Sequence, residues 1–142
     1  MKTINPYLNF DGQAKEAFEH YRSILGGEFA VVMPMSGVDC EGLPLPENAG
    51  ELMMHIALPY GDSVLMASDV VEGMGQKLAV GNNVSVSISV DSRDEADRIY
   101  AGLAEGGTAV MPMDDAFWGD YFGALIDKFG INWLINYSEK NA

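Results

Sequence analysis

The 142-residue chain is 48% hydrophobic and 20% charged, an ordinary globular balance with enough length to bury a core. Its net charge of −13, from 21 acidic and 8 basic side chains, argues against DNA, RNA or an anionic membrane as partner, since those require Lys/Arg clusters. The single Cys40 excludes an intramolecular disulfide and a multi-cysteine zinc site, and its flanks Asp39 and Glu41 disfavour a reactive thiolate.

No stretch reaches the ~18 apolar residues of a membrane span. The opening MKTINPYLNF lacks the apolar core of a signal segment. The expectation is a small acidic cytoplasmic protein.

In chain order, Asn5 to Phe10 reads as a strand, and Asp11 stands where it would cap the following helix. Ala14, Ala17, Phe18, Tyr21, Ile24 and Leu25 line one face of that helix, and Gly26-Gly27 stops it. Strands follow at Phe29 to Met35, Leu52 to Leu58 and Ser63 to Ser68, with Tyr60-Gly61-Asp62 as a tight hairpin between the last two. Between the first and second of these lies Ser36 to Gly50, rich in Gly, Pro and acids and without a period. A loop of that length is a lid, a dimer arm or a disordered segment.

The pattern then begins again. Val84 to Val90 is a strand, and Ser92-Arg93-Asp94-Glu95 is a capping box that opens a helix. Ala96, Ile99, Tyr100, Leu103 and Ala104 form its apolar stripe and Gly106-Gly107 its stop. Thr108 to Met113, Tyr121 to Asp127 and Ile131 to Tyr137 are strands, the last two joined by Lys128-Phe129-Gly130. Individual residues repeat as well. Glu16-Ala17, Tyr21, Gly27 and Ala30-Val31 recur 79 residues later as Glu95-Ala96, Tyr100, Gly106 and Ala109-Val110, and Met33-Pro34-Met35 recurs at an offset of 78 as Met111-Pro112-Met113. Each half therefore reads β-α-β-β-β. The expected fold is α+β: one domain over 1–142, with modules 1–70 and 82–142 and a linker at 71–81.

Strand faces indicate where a ligand would sit. In Val84 to Val90, period two puts the valines and Ile88 on one face and Ser85, Ser87 and Ser89 on the other. The apolar face should pack under a helix; the serine face meets either solvent or a concave interior. His55 shares a strand face with Met53 and Ala57. A lone strand histidine is more often structural than catalytic, although imidazole suits acid–base work. His20 lies off the apolar stripe of its helix and is expected to be solvated. Asp69 ends a strand, and Asp127 precedes a turn it is expected to cap. Asp120 stands between Trp118 and Tyr121, which would shield it from water, while Trp133 reads as a core ring.

The segments Asn5-Pro6-Tyr7-Leu8-Asn9-Phe10, Tyr21 to Gly27, His55 to Asp69 and Phe117 to Trp133 (FWGDYFGALIDKFGINW) carry a resemblance. The chain resembles the vicinal oxygen chelate superfamily, the glyoxalase, bleomycin-resistance and extradiol-dioxygenase group, and within it the PhnB-like branch. The resemblance implies that both modules contribute strands to a curved, cup-like mixed sheet in which small ligands bind, and that the protein is a homodimer. Enzymatic branches hold a divalent metal through His and Glu on the strands. At the matching positions this chain has Asn5, Tyr7 and Asn9, then Ser85, then Leu134 between Asn132 and Asn136. Asn and Ser are weak ligands for such ions, so the expectation is the fold without metal or cofactor. Some relatives carry a methyltransferase name, but no Gly-rich loop joins a strand to a helix of a parallel α/β unit here.

Three functions compete. The first is a metal-free protein binding a small molecule through Tyr7, Asn9, His55, Ser85, Ser87, Trp118, Asp120 and Tyr121. The second is a lyase, isomerase or dioxygenase. It would use either an atypical metal set of His55 with Asp69 or Asp120, or acid–base catalysis by His55 and Asp120. The third is a dimerisation module whose serine face is covered by a second chain.

Overall fold

The computed structural model describes residues 2–37, 50–70 and 77–139. Cys40, most of the Ser36 to Gly50 loop and the 71–76 part of the expected linker lie outside the described residues. The chain forms two compact units, Met1–Ala79 and Val80–Ala142.

The first unit runs β1 (Tyr7–Phe10), α1 (Ala14–Leu25), β2 (Val31–Pro34), a 3-10 turn (Met35–Gly37), β3 (Met53–Tyr60) and β4 (Ser63–Asp69). Its sheet order is β1-β4-β3-β2, with β1 parallel to β4 and the other pairs antiparallel. The second unit runs β5 (Val86–Val90), α2 (Arg93–Ala104), β6 (Thr108–Asp115), β7 (Tyr121–Ile126) and β8 (Asn132–Tyr137). Its order, β5-β8-β7-β6 with only β5 and β8 parallel, repeats the first. Each unit is thus a βαβββ module, the arrangement the internal repeat predicts.

Burial follows the helical and strand periods. Ala14, Ala17, Phe18, Tyr21 and Ile24 of α1 are buried, as are Ile56, Leu58, Leu65 and Ala67 on β3 and β4, the strands that α1 contacts. In the second unit, Ala96, Ile99 and Leu103 of α2 are buried together with Ile88, Leu125, Trp133 and Ile135 of the sheet. One face of each sheet is committed to its helix, which leaves the other to meet a ligand, a partner or water.

The two helix starts are held differently. Ser92 accepts the Glu95 backbone N–H at 3.1 Å, as the capping box predicts, while the Glu95 carboxylate accepts the N–H of Asp91, one residue ahead of the cap, at 3.4 Å. Asp11 does not cap α1. The N-cap position is Gln13, which makes no side-chain capping bond, and Asp69 Oδ1 accepts the Ala14 N–H at 3.0 Å instead. The parallel register of Phe10 with Asp69 brings the end of β4 beside the entry to the helix, where a carboxylate also complements the helix dipole.

The strand limits differ from expectation by one or two residues at one end or both. β5 begins at Val86, so Val84 and Ser85 precede it, both exposed. β6 extends through Asp114 and Asp115, because it is an edge strand whose outward positions face water and tolerate acids.

Candidate functional site

On the sheet of the first unit, the face away from α1 carries Tyr7, Asn9 and His55. Tyr7 and Asn9 alternate with Leu8 and the buried Phe10, and His55 alternates with the buried Ile56. The Tyr7 hydroxyl and His55 Nδ1 are hydrogen-bonded at 3.3 Å, with the tautomer setting which one donates. Their rings stack with centroids 5.7 Å apart and planes 22° from parallel. Tyr7 is 46% exposed and His55 half-buried, so the pair offers a ligand a ring face, a hydroxyl and an imidazole on rigid strands.

On the sheet of the second unit, Ser87 alternates outward from the Val86, Ile88 and Val90 face. The connection from β6 to β7 is closed by the Ala116 N–H donating to Asp120 O at 2.7 Å and the Gly119 N–H donating to Ala116 O at 3.0 Å. Gly119 takes φ +101, which favours glycine at that corner. The turn sets Trp118 edge-to-face against Phe122, with centroids 5.5 Å apart, and Phe117 against Trp118 at 4.9 Å. Asp120 Oδ2 accepts from Asn136 Nδ2 at 3.1 Å, and Asn136 is the register partner of Phe122. Trp118, Asp120, Phe122 and Asn136 therefore form an aromatic shelf with a carboxylate–amide pair at its edge.

Phe122 has no place in the sequence-derived ligand set. Counting outward from the Ile126–Asn132 pair at the turn would have placed it opposite Asn136. Ser85 is exposed ahead of β5.

Tyr121 turns the other way, toward α2. Its hydroxyl donates to Asp97 at 2.5 Å, and the Arg93 guanidinium sits 4.5 Å over its ring. Arg93 also pairs with Asp115 at 2.5 Å and with Glu139 at 3.6 Å. Donation to Asp97, with some burial added, raises the Tyr121 phenol above its ordinary value. This side chain braces the helix and stands apart from the shelf.

The remaining polar candidates are held within the fold. Asp69 is buried, and its second oxygen accepts the Met53 N–H at 2.8 Å, so it is committed to the backbone on the α1 side while His55 lies on the opposite face. Asp127 accepts the N–H groups of Phe129 and Ile131 at 2.8 and 3.0 Å and so caps its turn as expected. His20 is half-buried, with its ring 6.2 Å from that of Tyr21, rather than solvated.

A divalent metal of the kind the fold implies does not fit this donor set. Among the described residues no three His, Cys, Asp or Glu side chains converge. His55 shares its Nδ1 with a tyrosine, and Asp69 is occupied by two backbone donors. No helix among the described residues is long and apolar enough to cross a membrane.

Comparison with known proteins agrees with this architecture. A family model described as 3-demethylubiquinone-9 3-methyltransferase matches residues 2–136. Protein PA1353 from Pseudomonas aeruginosa is 36% identical, with a TM-score of 0.83 over 97% of this chain and 98% of that one. The PhnB protein from Bacillus cereus is 23% identical, with a TM-score of 0.76 over 96% of this chain and 100% of that one. A glyoxalase/bleomycin resistance protein/dioxygenase family enzyme from Burkholderia phytofirmans PsJN shares the fold at 16% identity, with a TM-score of 0.57 over 94% and 98% of the two chains.

Proposed function

The chain belongs to the 3-demethylubiquinone-9 3-methyltransferase family, in the PhnB-like branch of the glyoxalase/bleomycin-resistance/dioxygenase superfamily, and on that premise we propose that it is a cytoplasmic small-molecule binding protein without a resident metal. The observation that carries this reading is the shelf on the second unit. Trp118 is 46% exposed and backed by Phe122, beside a carboxylate oriented by Asn136. Exposing an indole to water is unfavourable unless something covers it. A planar ring laid on Trp118 would gain stacking area while a hydroxyl or amine donates to Asp120, which is the mix of apolar wall and few polar anchors that small-ligand sites use. Ser87 supplies a further hydroxyl on that sheet face, and in the first unit Tyr7, Asn9 and His55 are proposed as a polar and aromatic contact surface.

The family description names a methyl transfer, and that activity is not carried over. The strand-to-helix connections are Asp11-Gly12-Gln13 and Asp91-Ser92, neither of them a Gly-rich phosphate-type loop. Homodimerisation belongs to the same proposal. Edge strands β2 and β6 expose Val32, Met33, Val110 and Met111, which a second copy would cover.

Isothermal titration calorimetry against a metabolite panel tests the binding reading. Ring compounds bearing a donor group should bind, and Asp120→Asn should weaken them by about tenfold. Absence of heat across a broad panel would count against it. Stoichiometric metal in protein purified without chelator would contradict the metal-free part.

A further inference from the structure

The geometry points to an anion-accepting site in the first unit, for a short aliphatic carboxylate, which shares Asn9 with the contact surface proposed there and does not depend on the shelf at Trp118. β1 and β4 run parallel and end together, and the Val70 N–H donating to Phe10 O at 2.7 Å holds the chain leaving β4 beside β1. At this end lies an open concavity of about 400 Å³ lined by Asn9, Val70, Lys77, Leu78 and Ala79. That volume falls within the roughly 300–1,000 Å³ that small ligands occupy.

The lining divides by chemistry. Val70, Leu78 and Ala79 present aliphatic surface, Asn9 presents an amide, and Lys77 presents an ammonium. In a chain of 21 acidic and 8 basic residues, a cation at a concavity selects ligands by sign. Arg22 and Arg93 form ion pairs, and among the described residues Lys77 is paired with no carboxylate. A carboxylate placed here would take the Lys77 charge and an N–H from Asn9, with its hydrocarbon against Val70 and Leu78. A cationic head group would meet the ammonium with repulsion, and a neutral alcohol would gain only the apolar part.

The test titrates hexanoate, hexylamine and 1-hexanol into the isotopically labelled full chain and follows backbone amide signals by NMR. Hexanoate should produce saturable shifts at Asn9, Val70, Lys77, Leu78 and Ala79. Hexylamine should produce none there, and hexanol should bind about tenfold more weakly. Lys77→Met should weaken hexanoate by about tenfold, while Lys77→Arg keeps most of the affinity. Lys77 is exposed, so both variants are expected to fold. The proposal is overturned if hexanoate gives no saturable shift, if hexylamine matches it, or if Lys77→Met leaves its binding unchanged. Hexanoate shifts centred on the Trp118 indole would equally overturn it.

Discussion

The carboxylate of Asp127 accepts the indole N–H of Trp133 at 2.8 Å, while its other oxygen takes the backbone N–H groups of Phe129 and Ile131. One buried side chain thus fixes the β7–β8 turn and anchors the largest ring of the second core. Asp127→Ala would leave a buried indole donor and two turn amides unsatisfied, and should cost about 3 kcal/mol or more. Asp127→Asn keeps an acceptor and should cost less. Urea unfolding midpoints at constant m-value check the order. A loss under about 1 kcal/mol for Asp127→Ala would contradict the assignment.

Asp69 and Asp11 make a paired test in the first unit. Asp69 ties Ala14 at the helix start to Met53 on β3, so Asp69→Ala should lose about 2–3 kcal/mol. Asp11 is exposed and does not cap, so Asp11→Ala should stay within about 0.5 kcal/mol of the parent. The reverse ranking would restore the local cap that the sequence suggests.

Those two aspartates show where local reading stops. The capping box at Ser92 lies within four consecutive residues, and the Val86 to Val90 alternation is complete, so both were legible from neighbours alone. The α1 cap comes from a residue 55 positions away, fixed only once β1 and β4 pair in parallel. The direction of Tyr121 was hidden for a different reason. Tyr121 to Ile126 is apolar throughout, with no alternation to assign faces. Only the register against β8 and the ring of Arg93, Asp97 and Asp115 around Tyr121 settle which way it points. Phe122 was missed for the same lack of period.

The Tyr121 phenol supplies a pH prediction. Its folded value is raised from 10.0, chiefly because the hydroxyl donates to Asp97. A raised value means the native state holds the proton more tightly. The contribution to stability is therefore full below the unfolded value and is lost as pH rises through the folded one. Asp97→Asn should move the phenol back toward 10.0, read by spectrophotometric titration of tyrosinate against Tyr121→Phe. An unchanged titration in Asp97→Asn would contradict the cause assigned.

Gly107 tests the joint between α2 and β6. A Cβ there would stand 2.2 Å from the Ile126 carbonyl oxygen and 2.8 Å from the Asp127 carbonyl carbon, both backbone atoms that cannot swing aside. Gly107→Ala should cost about 3 kcal/mol. Gly81→Ala, whose nearest neighbour is a side-chain oxygen at 3.8 Å, should be tolerated. Thermal unfolding of the two variants compares them.

The most direct measurement of the binding account uses the two tryptophans as reporters. Trp118 is 46% exposed and Trp133 is 1% exposed, so a ligand on the shelf should change the emission of the first alone. A metabolite panel should yield compounds that change fluorescence of the parent protein saturably and leave Trp118→Phe nearly silent. No response to any compound, or a response that survives intact in Trp118→Phe, would contradict ligand binding at that face.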